Sequence, residues 1–417
     1  MAWEVCWTAA WNRKLLLIAA SAAWCAMLAL AAHALDLNQL PLPIAAGWIF
    51  YLRGNPKIRE QIACLILSVA FGLLVRLHTK DWLSVGSYVL ALLGLGAFAM
   101  FGLQWIWSAK LARRQTIAML APASALVFFV FSAQYALNFT HVFHPKTYDL
   151  YLYAADGAFG FQPSFFFGRA MAVSHTLRIA CVLAYLLLPL VMAFVYAVCL
   201  PSQAERPSWD FISLLMLAGA GGWALYNLVP ATGPIYVFGR SFPYQPLPYH
   251  LLAKLVVEKI PVPGSAPRNA IPSLHLAWAL LLYWNTEGRS GALRGFLAIY
   301  LALTVVSTLG TGEHYFVDLL AAVPFALSVQ AALSPGGRAA LSRRIIAANC
   351  GLGLTLGWLL LVRYGIKLML ISPAVPWGLA GLSCAVVWRI QSWFPYPLAY
   401  QPKRTRYDQE LPLATGV

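Results

Sequence analysis

Residues 294–333 read RGFLAIYLALTVVSTLGTGEHYFVDLLAAVPFALSVQAAL. Two apolar runs, 294–310 and 315–333, flank a short polar stretch carrying Glu313 and His314, and Asp318 lies just inside the second run. Each run is about as long as a helix that crosses the hydrocarbon core of a bilayer. Their apolar residues are continuous rather than alternating, which favours helices over the strands of a barrel. A helix also pairs its own backbone N–H and C=O groups, as hydrocarbon demands. The stretch therefore predicts two membrane helices with ionisable groups at their junction. Such groups are costly near lipid, and their presence calls for a functional explanation.

Similar runs recur at approximately 15–34, 37–52, 60–77, 84–106, 115–138, 173–199, 209–229, 270–286, 345–362 and 368–388. With the first two they predict an all-α polytopic membrane protein of about twelve transmembrane helices. Composition agrees, because 61% of residues are hydrophobic and only 10% are charged, too few to solvate a water-soluble domain. The run after Arg13-Lys14 ends in Ala32-His33-Ala34, which resembles a signal-peptide cleavage site. At about twenty residues it is long for a signal sequence and is read as a retained first helix. The seven cysteines mostly sit within apolar runs and show no metal-type spacing, so neither disulfides nor zinc are expected.

The net charge of +15 does not point to nucleic acid, because the basic residues are scattered between apolar segments. They read instead as a topology signal. With a cytoplasmic N-terminus, the inside loops carry Arg53/Lys57/Arg59, Lys110/Arg113/Arg114, Arg206, Arg289/Arg294 and Arg338/Arg343/Arg344. His275 and His314 then fall together on the outer side. The Ala/Leu-rich makeup and short loops suggest a bacterial inner membrane, with the site on its extracytoplasmic face. The chain divides into N-terminal helices of unclear role (1–138), a catalytic core (139–335), C-terminal helices (336–390) and a basic cytoplasmic tail (391–417). Within the core, the external segment 139–172 reads as an interfacial amphipathic helix or a plain surface connection. The segment 230–269, rich in proline and aromatic residues, reads as an ordered lid.

His314 and Asp318 are four residues apart and project from one helical face. A carboxylate there can accept a hydrogen bond from one imidazole nitrogen and leave the other free to attack an electrophile. The plainer alternative is a helix-start histidine paired for solubility. A second stretch, Arg268-Asn269-Ala270-Ile271-Pro272-Ser273-Leu274-His275, offers Ser273 as an N-cap. Unpaired amides at that helix start make an anion site, and Arg268 could add a two-pronged phosphate contact. His275 could donate a proton to a departing oxygen, although a lone interfacial histidine is the bland reading. Asn269, Ser273, Arg240 and Tyr236 join Arg268 as the candidate substrate-binding set. A nucleophile, an orienting carboxylate, a proton donor and fixed positive charge are what phosphoryl transfer needs. A metal bound by His275, His314 and Asp318 or Glu313 is the competing chemistry. The adjacent Arg268 suits an anion better than a cation, so no metal and no cofactor are expected.

At these residues the sequence resembles the type 2 phosphatidic acid phosphatase superfamily of lipid phosphatases and phosphotransferases. Pro272-Ser273-Leu274-His275 looks like its second motif, and His314-x-x-x-Asp318 like the end of its third. The stretch from Thr311 to Asp318, with Pro230-Ala231-Thr232-Gly233-Pro234-Ile235-Tyr236, resembles the inositol phosphorylceramide synthase-like branch. The resemblance covers roughly residues 140–335. Two departures stand out: the first phosphatase motif, a lysine followed at fixed spacing by Arg-Pro, is not present in that form, and Thr308 stands where the third motif usually has arginine.

The resemblance implies a six-helix catalytic core in which His314 forms a phosphohistidine, Asp318 orients it and His275 is the acid–base partner. It further implies a phosphotransferase that moves a phosphoryl headgroup, such as phosphoinositol, onto a lipid alcohol. Membrane lipids would be its partners. A lipid-phosphate or polyprenyl-diphosphate phosphatase is the alternative within the superfamily. A non-catalytic lipid transporter or binder is the alternative outside it, for which the sequence shows no internal symmetry.

Overall fold

The computed structural model describes residues 40–74, 82–107, 110–199, 209–252, 255–334 and 338–394. The first predicted span, 15–34, and the basic residues of the tail lie outside these. Four helices come first: α1 (Pro41–Arg53), α2 (Ile58–Leu74), α3 (Trp82–Trp107) and α4 (Lys110–Phe143). A two-residue strand β1 (Lys146–Thr147) leads into α5 (Asp149–Gly157), α6 (Pro163–Val173), α7 (His175–Leu186), α8 (Leu188–Cys199) and α9 (Trp209–Tyr226). Short elements follow: α10 (Pro234–Phe238), a 3-10 turn (Gly239–Ser241), α11 (Tyr249–Leu252) and β2 (Ile260–Pro261). The chain continues with α12 (Leu274–Trp284), α13 (Gly291–Gly310), α14 (Phe316–Leu333), α15 (Arg338–Tyr364), α16 (Ile366–Met369) and α17 (Ala374–Gln391).

The protein is an all-α membrane protein. Among the described residues, five helices are long and apolar enough to cross a bilayer: Val85–Trp107, Arg113–Phe143, Gly291–Gly310, Phe316–Leu333 and Leu341–Tyr364. The pair α6 and α7 would make a sixth if counted as one span, although it bends by 119°. The dozen runs read from the sequence include 15–34, which lies outside the described residues, and two of the others are cut short for physical reasons. The run 173–199 is broken at Ser174, whose side chain accepts the Leu177 amide at 3.3 Å and starts a new helix. It breaks again at Leu187, leaving α8 only 12 residues long. The run 270–286 becomes helical only at Leu274, because Pro272 disfavours helical geometry in the residue before it. The resulting 11-residue helix is too short to span hydrocarbon alone.

The helix α14 is the axis of the site-bearing half. Buried residues make up 72% of its most apolar window, against 28–44% in the other four long helices. It packs against α9, α12, α15 and α17. Lipid tails are as apolar as leucine, so such helices associate through close packing and polar contacts. Both are present. Ala321, Ala322, Ala326 and Ala331 are buried along α14. Gly351 of α15 lies so close that an added Cβ would sit 2.6 Å from the Pro324 carbonyl. Asn285 and Gln330 exchange side-chain hydrogen bonds of 2.7 and 3.3 Å between the end of α12 and α14.

The two long connections form one ordered cap. Segment 139–172 contributes buried side chains to the fold. Asp149, Leu152, Tyr153 and Asp156 of α5, and Phe165 of α6, are all buried. Segment 230–269 folds against it: β2 pairs antiparallel with β1, Lys146 opposite Pro261 and Thr147 opposite Ile260. The Tyr148 amide donates to the Pro230 carbonyl at 2.8 Å, and the Ala270 amide to the Ala231 carbonyl at 3.0 Å.

Candidate active site

The turn between α13 and α14 is built first by its backbone. The His314 amide donates to the Thr308 carbonyl at 3.1 Å, and the His314 carbonyl accepts the Ser164 hydroxyl at 2.9 Å. Asp318 Oδ2 accepts the Tyr315 amide at 2.7 Å, closing the first turn of α14. Asp156, from α5, accepts the next two amides, Phe316 at 2.8 Å and Val317 at 3.0 Å. These amides are orphan donors of a helix start, and two carboxylates satisfy them where the helix dipole favours negative charge. Burial pushes the Asp156 carboxyl up to about 8, against the pull of those amides.

A second buried carboxylate joins this turn to the cap. Asp149 accepts hydrogen bonds from the Thr232 amide and hydroxyl, the Gly233 amide at 2.9 Å and the Tyr315 hydroxyl at 3.1 Å. The Ile235 amide donates to the Gly312 carbonyl at 3.0 Å, and the Tyr236 hydroxyl reaches Glu313 at 3.1 Å. Gly233 has φ +112°, and a Cβ there would meet the Glu313 carbonyl. Gly233→Ala therefore combines left-handed strain with a backbone clash. It is expected to cost at least about 2 kcal/mol and to lower the thermal melting point measured in detergent.

The imidazole of His314 is almost fully buried and oriented by two oxygens. Its Nδ1 lies 2.8 Å from the Ala270 carbonyl and 3.4 Å from Asp318 Oδ2. A carbonyl only accepts, so Nδ1 carries the proton and Nε2 keeps a free lone pair in the neutral ring. Burial pushes the His314 imidazole down to about 4, partly offset by neighbouring Glu313 and the Ala270 carbonyl. The neutral, nucleophilic form is thus the one present near pH 7. The carbonyl of Ala270 is the nearer partner, so the orienting role read for Asp318 from spacing is shared with the backbone.

His275 stands in the first turn of α12, with its ring centroid 6.4 Å from that of His314. Both rings line one cavity of about 390 Å³ between α4, α7, α8, α9 and α12. Apart from the two histidines, its lining is mainly Leu, Ile, Val, Ala, Met and aromatic residues. Among the described residues, no Lys, Arg, Asp or Glu lines it. Two buried polar atoms nearby lack a hydrogen-bond partner, Ser273 Oγ and Asp318 Oδ1. Leaving such an atom unsatisfied costs about 1–3 kcal/mol, so each marks a place where another polar group is wanted.

The other candidates are placed differently. Asn269 lines the cavity. Ser273 is the N-cap residue of α12, but its side chain makes no cap hydrogen bond. Arg268 is 1% exposed, and its guanidinium donates to the carbonyls of His144 (3.3 Å), Pro263 (2.8 Å), Ala266 and Val262 (3.2 Å). It holds the loop before α12 together and does not line the cavity, in contrast to the phosphate contact expected of it. Arg240 is exposed on its 3-10 turn, and Lys259 lies over the Tyr148 ring at 4.5 Å. Tyr236 serves as a partner of Glu313 and is not among the cavity residues. Thr308 is buried, its hydroxyl turned back to the Thr304 carbonyl at 2.8 Å, so no charge stands at that position. Among the described residues, no three His, Cys, Asp or Glu side chains converge as a metal-binding group.

Sequence reasoning assigns no role to Asp149 and Asp156. Their signal was a spacing of seven residues, two turns apart on one helical face, in a chain with only 14 acidic residues. A comparison with curated proteins and one with solved structures gave no match. Residues 150–332, which hold the elements of this site except α4, Leu42 of α1 and the first residue of α5, match the family model of the PAP2 superfamily, supporting a lipid phosphatase or phosphotransferase type of enzyme acting on phosphoesters.

Proposed function

We propose that this protein is a lipid phosphotransferase that moves a phosphoryl headgroup to a lipid alcohol through a phosphohistidine on His314. The observation that carries the reading is the pair of imidazoles, 6.4 Å apart, at an uncharged apolar cavity. A hydrocarbon chain can occupy the cavity while its phosphoester meets both rings. His314 Nε2 attacks phosphorus, forming a P–N bond as the bond from phosphorus to the departing alcohol oxygen breaks. His275 gives that oxygen its proton. The acceptor hydroxyl then passes its proton to His275 and attacks phosphorus, breaking the P–N bond and restoring both histidines. The uncapped start of α12, with Ser273 Oγ, would hold the non-bridging oxygens.

The lining favours transfer over simple phosphatase action. A phosphodiester brings one negative charge into the cavity, whereas a phosphomonoester brings up to two. With Thr308 in place of arginine and Arg268 occupied by carbonyls, the diester is less costly to desolvate.

The test incubates purified protein in detergent with phosphatidylinositol and either ceramide or a diacylglycerol whose acyl chains differ from the donor's, and follows lipids by mass spectrometry. Appearance of the phosphoinositol group on the acceptor is expected. His275→Ala should slow that reaction by about 10²–10⁴-fold, the usual worth of a general acid–base group. Release of inorganic phosphate from a lipid monophosphate or polyprenyl diphosphate, with no acceptor product, would replace the transferase by a phosphatase. No product from any donor would leave a lipid-binding role.

A further inference from the structure

The two histidines are held in different ways. His314 has two oxygen partners on Nδ1. Among the described residues, neither ring nitrogen of His275 has a hydrogen-bond partner. Its ring instead lies flat on Tyr185, with centroids 3.9 Å apart and planes 18° from parallel. The edge of Trp278, one turn further along α12, closes another side at 6.3 Å and 75°. Trp278 is itself fixed, its indole N–H donating to the Leu215 carbonyl at 2.9 Å.

Tyr185 rests on a rigid support. Just before it on α7, the carbonyls of Cys181 and Ala184 accept the hydroxyls of Ser307 and Tyr300 of α13 at 2.8 and 2.9 Å. The helix carrying the aromatic face is thus pinned to the helix that ends at the His314 turn. The spacing between the two imidazoles is therefore set through α7 and α13, as well as through α12.

We infer that Tyr185 is a positioning residue for His275: its ring fixes the plane of the imidazole and stabilises the imidazolium, leaving both nitrogens free for substrate oxygens. The aromatic face has the chemistry for this, because its negative quadrupole attracts a cation stacked above it. No carboxylate lines the cavity among the described residues, so this face takes the place that an acidic partner holds in other histidine acids. The inference rests on the transferase reading for its kinetic consequence, and on geometry alone for the stacking.

The experiment compares wild type, Tyr185→Phe and Tyr185→Leu, with phosphatidylinositol and ceramide in mixed micelles. It has two readouts, steady-state kinetics and the rate at which diethylpyrocarbonate modifies His275, followed by mass spectrometry without substrate. Tyr185→Leu should lower kcat at least about tenfold with KM within about twofold, and speed modification of His275 several-fold. Tyr185→Phe, which keeps the ring, should match wild type within about threefold in both. A Leu variant with wild-type kcat, or a Phe variant as impaired as Leu, would overturn the proposal. So would an unchanged modification rate in the Leu variant. If Tyr185→Leu does not fold, Tyr185→Met serves in its place. If wild type turns over no lipid while modification still responds to Tyr185, the transferase reading fails and the stacking role stands.

Discussion

His314→Ala should abolish headgroup transfer, with turnover falling on the order of a thousandfold or more. On the proposed mechanism this ring supplies the lone pair that bonds to phosphorus, while His275 serves as the proton carrier. His314→Gln, which can still donate an N–H toward the Ala270 carbonyl, should be equally inactive while keeping more of the local packing. Initial rates with a labelled donor, alongside a thermal melt, separate the lost chemistry from any lost fold. Brief incubation with a phosphorus-labelled donor followed by alkaline quench should leave label on wild type and none on either variant. Undiminished turnover in folded His314→Gln would remove the covalent intermediate.

Asp149→Ala should be the most destabilising single change near the site. The carboxylate is fully buried and accepts from two amides and two hydroxyls, all of which would be stranded. Buried donors left without acceptors cost about 1–3 kcal/mol each before relaxation, so a loss of at least about 3 kcal/mol is expected. Asp149→Asn keeps one acceptor oxygen and should lose less. Thermal unfolding in detergent reads the order wild type, Asn, Ala. Activity should fall in the same order, because Tyr315 follows His314 directly. An Asp149→Ala protein as stable as wild type would show that water replaces the carboxylate at no cost.

The part of this arrangement legible in the sequence is the part tied to loop–helix boundaries. His275, His314 and Asp318 were singled out because ionisable residues at the ends of apolar runs are scarce, and the structure brings these three together. Arg268 illustrates the limit. A guanidinium donates equally well to carbonyl oxygens and to phosphate oxygens, and one chain of letters does not tell which oxygens the fold will bring. Among the described residues fewer helices reach spanning length than there are apolar runs, for a related reason. Hydrophobicity reports how long a run is, but a cap such as Ser174 breaks the helix without interrupting the apolar pattern. Asp149 and Asp156 were hidden because their partners are backbone amides of Thr232, Gly233, Phe316 and Val317, far away in sequence. Side-chain chemistry alone does not announce a backbone partner.

The bonds of Asp149 also bear on how a lipid gets in and out. Roof and floor of the chamber are riveted through one carboxylate, so a hinged opening of the roof would strip several hydrogen bonds in a single step. At the cavity the wall between α4 and α9 is joined by a neutral hydrogen bond, from the Trp223 indole N–H to the Ala136 carbonyl at 3.3 Å, and Trp223 is 42% exposed. Traffic through that wall would run sideways, from the leaflet itself, and an amphiphile would never need to surrender its tail to water.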